Sequence, residues 1–302
     1  MNAPAPIAIF VYKRARHVRQ LLQSLARNAP VARSPVTVYC DGPRGEHEAQ
    51  AVREARAAVH ELAPAHARIV ERERNLGLAR SVIAGVSETV AEHGRVIMFE
   101  DDLELSPVTL DYFNAALERY RDEERVMHIS SFMYPVRASL PQAFFYREAT
   151  CSGGWATWAR AWRHFEPDGA KIRDAVLARG ARRQFDAEGS MDLFGMLEAQ
   201  IAGRVDSWAI RWYGSLWLHG GLALHPGRSL ARNIGFDGSG ENSGTLIGWD
   251  VEPSTEPVTQ FPERIEESKA ALQAMIAHRR RMNWRRRLQP VQRAWQRWTQ
   301  SP

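Results

Sequence analysis

Cysteine is scarce in this chain of 302 residues. Only Cys40 and Cys151 occur, with no CxxC and no Cys/His spacing, which excludes a disulfide framework and a structural zinc module. Long apolar runs are missing as well. The longest, Ile7 to Tyr12, has six residues, against the roughly 20 needed to span a bilayer. Basic residues follow that run rather than precede it, unlike a signal peptide, so a cytoplasmic location is expected. No G-x-x-x-x-G-K-[ST] loop occurs, and no G-x-G-x-x-G follows the first apolar run, which argues against P-loop and Rossmann dinucleotide chemistry. With 44% hydrophobic and 25% charged residues, the composition is that of a globular protein and excludes collagen-like, low-complexity and wholly disordered chains.

Charge is unevenly placed. The stretch from Arg279 to Pro302 holds eight arginines and no acidic residue, so removing it from the net +5 leaves a body of −3. A mildly acidic body carries a strongly basic tail, and the overall basicity says nothing about the body's ligand.

Ile7 to Tyr12 reads as a buried strand, and Val18, Leu21, Leu22 and Leu25 mark one face of a following helix. Val36 to Cys40 repeats the strand pattern before Asp41-Gly42-Pro43, with a helix expected over 46–62. A third strand is expected over 67–71 with a helix over 78–92, and a fourth at Val96 to Phe99. Glu100-Asp101-Asp102 follows directly, and then a helix capped by Ser106 and opened by Pro107, running to about Arg121. Apolar strands alternating with amphipathic helices indicate an α/β fold with a mainly parallel central sheet flanked by helices. In such sheets ligands bind at the carboxyl ends of strands, where Asp41 and the acidic cluster both fall. After a strand over 126–130 the pattern dissolves into Gly-, Trp- and Pro-rich loops, with helices expected over 188–202 and 208–219.

Three successive carboxylates after a buried strand repel one another unless something positive sits there. A divalent metal is the simplest partner, since hard oxygen ligands suit Mg²⁺ or Mn²⁺. The alternative is an acidic loop favoured by the dipole of the next helix. Trp155, Trp158 and Trp162 recur at the spacing of one helical face, which is core packing by default; Trp155 adjoins Gly153-Gly154 and is also a candidate to stack on a sugar.

The run Val96-Ile-Met-Phe-Glu-Asp-Asp-Leu-Glu-Leu-Ser-Pro, with Asp111-Tyr112-Phe113 behind it, resembles the EDD form of the DxD motif of GT-A fold nucleotide-sugar glycosyltransferases. The chain is especially similar to the inverting N-acetylglucosaminyltransferase I type and to family 2-like sugar transferases. Supporting segments are Lys13-Arg14, Cys40-Asp41-Gly42, Arg74-Asn75-Leu76-Gly77-Leu78-Ala79-Arg80, Gly154-Trp155-Ala156-Thr157-Trp158, Asp206-Ser207-Trp208 and Asn233-Ile234-Gly235-Phe236-Asp237-Gly238.

The resemblance implies a role for each matching position. Asp102 would bind Mn²⁺ or Mg²⁺, with Glu100 and Asp101 at the donor's sugar or ribose. Asp41 would hydrogen-bond the nucleobase, Arg14 would lie beside the base or diphosphate, and Arg80, with Asn75 nearby, would contact donor phosphate or sugar. Asp206 is the candidate general base, the alternative being an N-cap of the helix from Trp208. Glu241-Asn242-Ser243 stands where related sequences often carry a histidine, with His219 and His225 as weak substitutes, and the Gly153-Gly154 pair is expected to widen an acceptor pocket. The implied donor is a nucleotide-diphosphate sugar, a UDP-sugar first, and the acceptor a glycan or lipid-linked glycan. A nucleotidyltransferase would share the sheet and metal but needs a glycine-rich loop that Tyr12-Lys13-Arg14-Ala15-Arg16 lacks; a non-catalytic carbohydrate- or polyanion-binding protein is the other alternative.

Residues 1–262 are expected to form the catalytic domain, with 1–130 binding the nucleotide sugar and 131–262 the acceptor. Residues 263–302 are expected to form a basic amphipathic helical extension. Its stripe of Trp284, Leu288, Val291, Trp295 and Trp298 among arginines fits an anionic membrane interface, with docking on the chain's own domain or on a partner as the alternative. Nothing else resembles a nucleic-acid-binding module, so a nucleic-acid partner is not expected. A peripheral position on the inner face of the cytoplasmic membrane follows from the membrane alternative.

Overall fold

A computed structural model describes residues 3–238 and 250–283. The chain opens with β1 (Ile7–Val11), α1 (Ala15–Leu25), β2 (Val36–Cys40), α2 (Glu46–Leu62), β3 (Arg68–Glu71), α3 (Leu78–His93) and β4 (Arg95–Glu100). There follow β5 (Leu103–Leu105), α4 (Thr109–Arg119), β6 (Val126–Ser130), β7 (Ala143–Tyr146), β8 (Trp155–Trp158) and α5 (Ala159–Trp162). The last named elements are α6 (Gly169–Ala178), α7 (Arg182–Phe185), α8 (Leu193–Ile201), α9 (Trp208–Leu218), β9 (Leu222–Pro226) and β10 (Ala231–Asn233). A further helix covers 269–283.

Eight strands form one sheet in the order β3-β2-β1-β4-β8-β6-β9-β7. The first four are mutually parallel, so their carboxyl ends share one edge. β1 is buried on both faces because its side chains alternate between two cores. Ile7, Ile9 and Val11 pack with Val18, Leu21 and Leu22 of α1, while Ala8 and Phe10 pack with Val82 and Val86 of α3 and with Trp212 of α9. That two-sided burial is why β1 reads as an unbroken apolar run. β4 ends beside β1, with Phe10 opposite Glu100.

Beyond β4 the structure departs from the expectations. Trp155 and Trp158 are not on a helix: β8 pairs antiparallel with both β4 and β6. The two side chains therefore point to opposite cores, as period-2 alternation requires. Their i, i+3 spacing resembles a helix by coincidence. The Gly153-Gly154 pair opens no space either. A Cβ on Gly153 would press into Phe132, and Gly154 sits at φ +87 against the Phe99 ring, so both glycines exist to let the chain pass close to aromatic side chains. α4 begins at Thr109 rather than Pro107, and Ser106 does not cap it; the Ser106 hydroxyl donates to the Ser254 carbonyl at 2.7 Å.

The boundary at 262/263 also moves. Ala271 and Met275, on the helix over 269–283, are buried among Phe132, Tyr134, Phe144 and Tyr146. Arg279 is buried and paired with Glu148 at 2.5 Å, which makes 263–283 part of the fold rather than an appendage and withdraws Arg279 from any membrane-facing role. The Trp284 to Trp298 stripe and Glu241-Asn242-Ser243 lie outside the described residues. Among the described residues no helix is long and apolar enough to cross a membrane.

Candidate active site

Parallel pairing of β1 with β4 brings Arg14 to the acidic cluster. Arg14 Nη2 lies 2.5 Å from Asp101 Oδ1 and 2.9 Å from Asp102 Oδ2. Asp101 is fixed further by the Tyr12 backbone N–H, which donates to its other oxygen at 3.2 Å. The positive partner that three carboxylates require is thus built into the chain. Burial works against the Arg14 charge, but Asp101 and Asp102 outweigh it, so the guanidinium is held protonated more firmly than usual. Its second terminal nitrogen, Nη1, is buried without a hydrogen-bond partner among the described residues.

Glu100 titrates far above the ordinary carboxyl range. Burial first, then the neighbouring Asp102 and Asp101, push its carboxyl up to about 8, opposed by Arg14 and by a hydrogen bond from Trp208. Burial raises the Asp101 carboxyl as well, with Arg14 pulling it back. Like charges at close range cannot all ionise, and the cluster meets that constraint with one arginine and one carboxyl that stays protonated near neutral pH.

A second wall comes from the antiparallel pair β5–β10, in which Asn233 stands opposite Leu103. The Ile234 N–H donates to the Asp102 carbonyl at 2.8 Å, and Asn233 Nδ2 donates to the Ser152 carbonyl at 3.0 Å and approaches Asp102 Oδ1 at 3.5 Å. Gly235 lies so close that a Cβ there would collide with Asp102 Oδ2 and stand 2.9 Å from Arg14 Nη1. His17 from α1 reaches the same loop, 3.3 Å from the Ile234 carbonyl and 3.3 Å from Asp237.

Asp206 lies just before α9, largely exposed and paired with Arg211 at 3.2 Å. It is not the helix cap, because Ser207 accepts from the Ile210 N–H in that role. Trp208, one residue further, reaches Glu100, so the start of α9 packs against the acidic cluster. Arg80 sits in the first turn of α3, exposed and without a hydrogen bond or ion pair among the described residues.

Three residues expected to contact the ligand have partners within the chain. The Asp41 carboxylate accepts N–H bonds from Gly42, Leu76 and Gly77 at 2.9–3.2 Å, which engages both its oxygens and makes it the pin of the loop before α3. Asn75 donates to the Gly42 carbonyl at 2.9 Å and serves the same loop. Trp155 is fully buried, stacked between His128 and Trp208 at 5.3 and 5.2 Å between ring centroids, with no face open to a sugar. The histidine substitutes fail on position. His225 is buried between the Phe132 and Glu148 carbonyls, and His219 caps the far end of α9 against His164.

Trp208, Tyr12 and His17 were given no role by sequence reasoning. The signal for Trp208 was present in Asp206-Ser207-Trp208, but its partners Trp155 and Glu100 are distant in the chain. As a test of metal fit, no group of three or more His, Cys, Asp and Glu is arranged to hold an ion among the described residues. A single carboxylate, Asp102, does suit Mg²⁺ or Mn²⁺ when ligand phosphates complete the shell.

The mainly parallel sheet, with the EDD cluster and its arginine at the strand ends, is the arrangement of a GT-A-type fold. The profile of the GNT-I family matches residues 1–184, and the chain belongs to that family. Among solved structures it is similar to a mannosyltransferase from Pyrobaculum calidifontis in complex with GDP-Man and Mn²⁺, at 18% identity over 45% of this chain and 37% of that one, TM-score 0.32. It is also similar to S. aureus TarS, at 18% identity over 46% of this chain and 23% of that one, TM-score 0.30. Glucosyl-3-phosphoglycerate synthase from Mycobacterium tuberculosis, in complex with Mn²⁺, UDP and its product, is 13% identical over 60% of this chain and 67% of that one, TM-score 0.37. The matches cover less than two-fifths of the first two proteins. No curated protein matches the sequence.

Proposed function

We propose that the chain is an inverting glycosyltransferase that moves a sugar from a nucleotide-diphosphate sugar, a UDP-sugar first, to a hydroxyl of a glycan or lipid-linked glycan in cell-surface polysaccharide synthesis. The observation that supports this is the convergence of Arg14, Asp101 and Asp102 at the ends of β1 and β4. Arg14 binds the donor diphosphate, Asp101 orients Arg14, and Arg80 offers an exposed second cation for phosphate. Glu100 faces the donor's sugar or ribose.

Asp206 takes the proton of the acceptor hydroxyl as the oxygen forms a bond to the anomeric carbon. The bond from that carbon to the diphosphate breaks in the same step, and the nucleoside diphosphate leaves with the electron pair. One base and no protein nucleophile give a single displacement with inversion. Asp102 would hold Mn²⁺ or Mg²⁺, which when bound offsets the charge growing on the leaving diphosphate. The arginine- and tryptophan-rich tail keeps the enzyme on the inner face of the cytoplasmic membrane, beside a lipid-linked acceptor.

A panel of nucleotide sugars, scored for thermal stabilisation with and without Mn²⁺ and then for nucleoside diphosphate release, tests the donor. One donor should stabilise the chain and be turned over, with the product's anomeric configuration inverted by NMR. Retained configuration would exclude the single displacement, and no stabilisation by any donor would exclude the function.

A further inference from the structure

We infer that Arg14 is an internal counter-cation that covers Asp102 and releases it to a divalent cation only when a nucleoside diphosphate draws the guanidinium away. The inference rests on the proposed function, since it concerns the same donor site. Its ground is geometric. One guanidinium nitrogen bridges Asp101 Oδ1 and Asp102 Oδ2 at 2.5 and 2.9 Å, so the Asp102 oxygen nearest the cluster already has a cation on it. Among the described residues the other Asp102 oxygen has only the long 3.5 Å approach of Asn233.

Among the described residues Arg14 Nη1 has no hydrogen-bond partner, and a buried N–H donor left unmade favours any acceptor brought to it. A guanidinium is a planar fork able to grip phosphate oxygens along one edge while another edge faces a carboxylate. Gly235 closes in on both Arg14 Nη1 and Asp102 Oδ2 with room for no side chain, so the loop after β10 confines both groups. A divalent cation arriving alone must displace an arginine. Arriving with a diphosphate, it finds Arg14 offered a second anion. Cation and nucleotide should therefore bind cooperatively, each raising the other's affinity by the same factor, as linkage requires.

The test is Mn²⁺ binding to the full chain, followed by electron paramagnetic resonance of free Mn²⁺, with and without UDP. Wild type should bind Mn²⁺ weakly alone and roughly tenfold or more tightly with UDP, within the usual range of coupling between two ligands. Arg14→Gln should bind Mn²⁺ alone more tightly than wild type and lose most of the UDP effect. Arg14→Lys keeps the charge but not the fork and should fall between the two, which preserves the test if the glutamine variant does not fold. If wild type shows UDP-dependent Mn²⁺ binding but neither variant tightens binding of Mn²⁺ alone, the counter-cation role is overturned and the metal site stands. If wild type binds no Mn²⁺ even with UDP, both are overturned.

Discussion

Two arginines, Arg279 buried and Arg14 half-buried, meet carboxylates in this molecule, at opposite ends of the chain's order. Arg279 faces one carboxylate, Glu148, at 2.5 Å, with both side chains 7% exposed. Its remaining contacts are the Tyr146 and Ser190 hydroxyls at 3.5 and 3.4 Å and the Tyr134 ring at 4.9 Å. Arg14 faces two carboxylates with a third beside them, and one of its nitrogens has no partner among the described residues. The first pair is closed, since charge and hydrogen-bonding capacity balance inside the protein, and its effect is to dock the helix over 269–283. The second is open. An excess of negative charge beside an unsatisfied donor is an arrangement that a charged ligand completes.

The contrast can be broken in several ways, in decreasing order of expected effect. Asp206→Asn should lower turnover by roughly 10²–10⁴-fold, the usual contribution of a positioned base, with donor affinity unchanged in a nucleotide titration. Unchanged turnover would remove Asp206 from the chemistry. Arg279→Leu leaves Glu148 buried and uncompensated and should destabilise the fold by about 3–5 kcal/mol in urea unfolding. The folded variant should bind nucleoside diphosphate as wild type does, and weakened binding would erase the distinction between the two arginines.

Asp102→Asn should reduce turnover by about 10²-fold through lost stabilisation of the leaving charge and abolish any response to added Mn²⁺, measured as nucleoside diphosphate release. Gly235→Ala forces a methyl against Asp102 and Arg14 and should cost about 1–3 kcal/mol of stability, as overpacking does, and weaken donor binding; a neutral result would mean the loop can yield.

The smallest effect is on pH dependence. Glu100 has its folded-state pKa raised to about 8 from an ordinary 4.5, so between those values the folded chain binds a proton that the unfolded chain has lost. Its contribution to stability is present in full below the unfolded value and declines as pH rises through the folded one, with a slope of at most about 1.4 kcal/mol per pH unit. Glu100→Gln should flatten that decline in urea midpoints measured from pH 5 to 8. An unaltered slope would put the proton elsewhere.

Much of the first half was legible residue by residue. β2, α2 and β6 coincide with their expected bounds, and β1, β3, α3 and β4 differ by a residue or so at their ends. Their apolar runs and helical spacing are local signals that burial on two faces makes strong. β5 and β10 carry no such signal. Each has three residues, and they exist because distant segments pair with each other. β8 misleads because its tryptophans fit a helix and a strand alike, and only pairing to Met98 and Ser130 decides.

The site divides in the same way. That Arg14, Glu100, Asp101 and Asp102 follow strands and Asp206 precedes a helix was legible from residue type and position. That Arg14 is the counter-charge, that Asp41 pins a loop and that Trp155 is core were not, because each depends on which remote group stands within hydrogen-bond or stacking distance.

By itself, then, the sequence determined the parallel βα order of the first half, the position of the carboxylates at strand ends and the family, since these depend on neighbours along the chain. The tertiary structure alone decided which charges are compensated and which are left for a ligand. Coulombic and hydrogen-bond energies fall steeply with distance and rise with burial, and both quantities are set by contacts between segments far apart in the sequence.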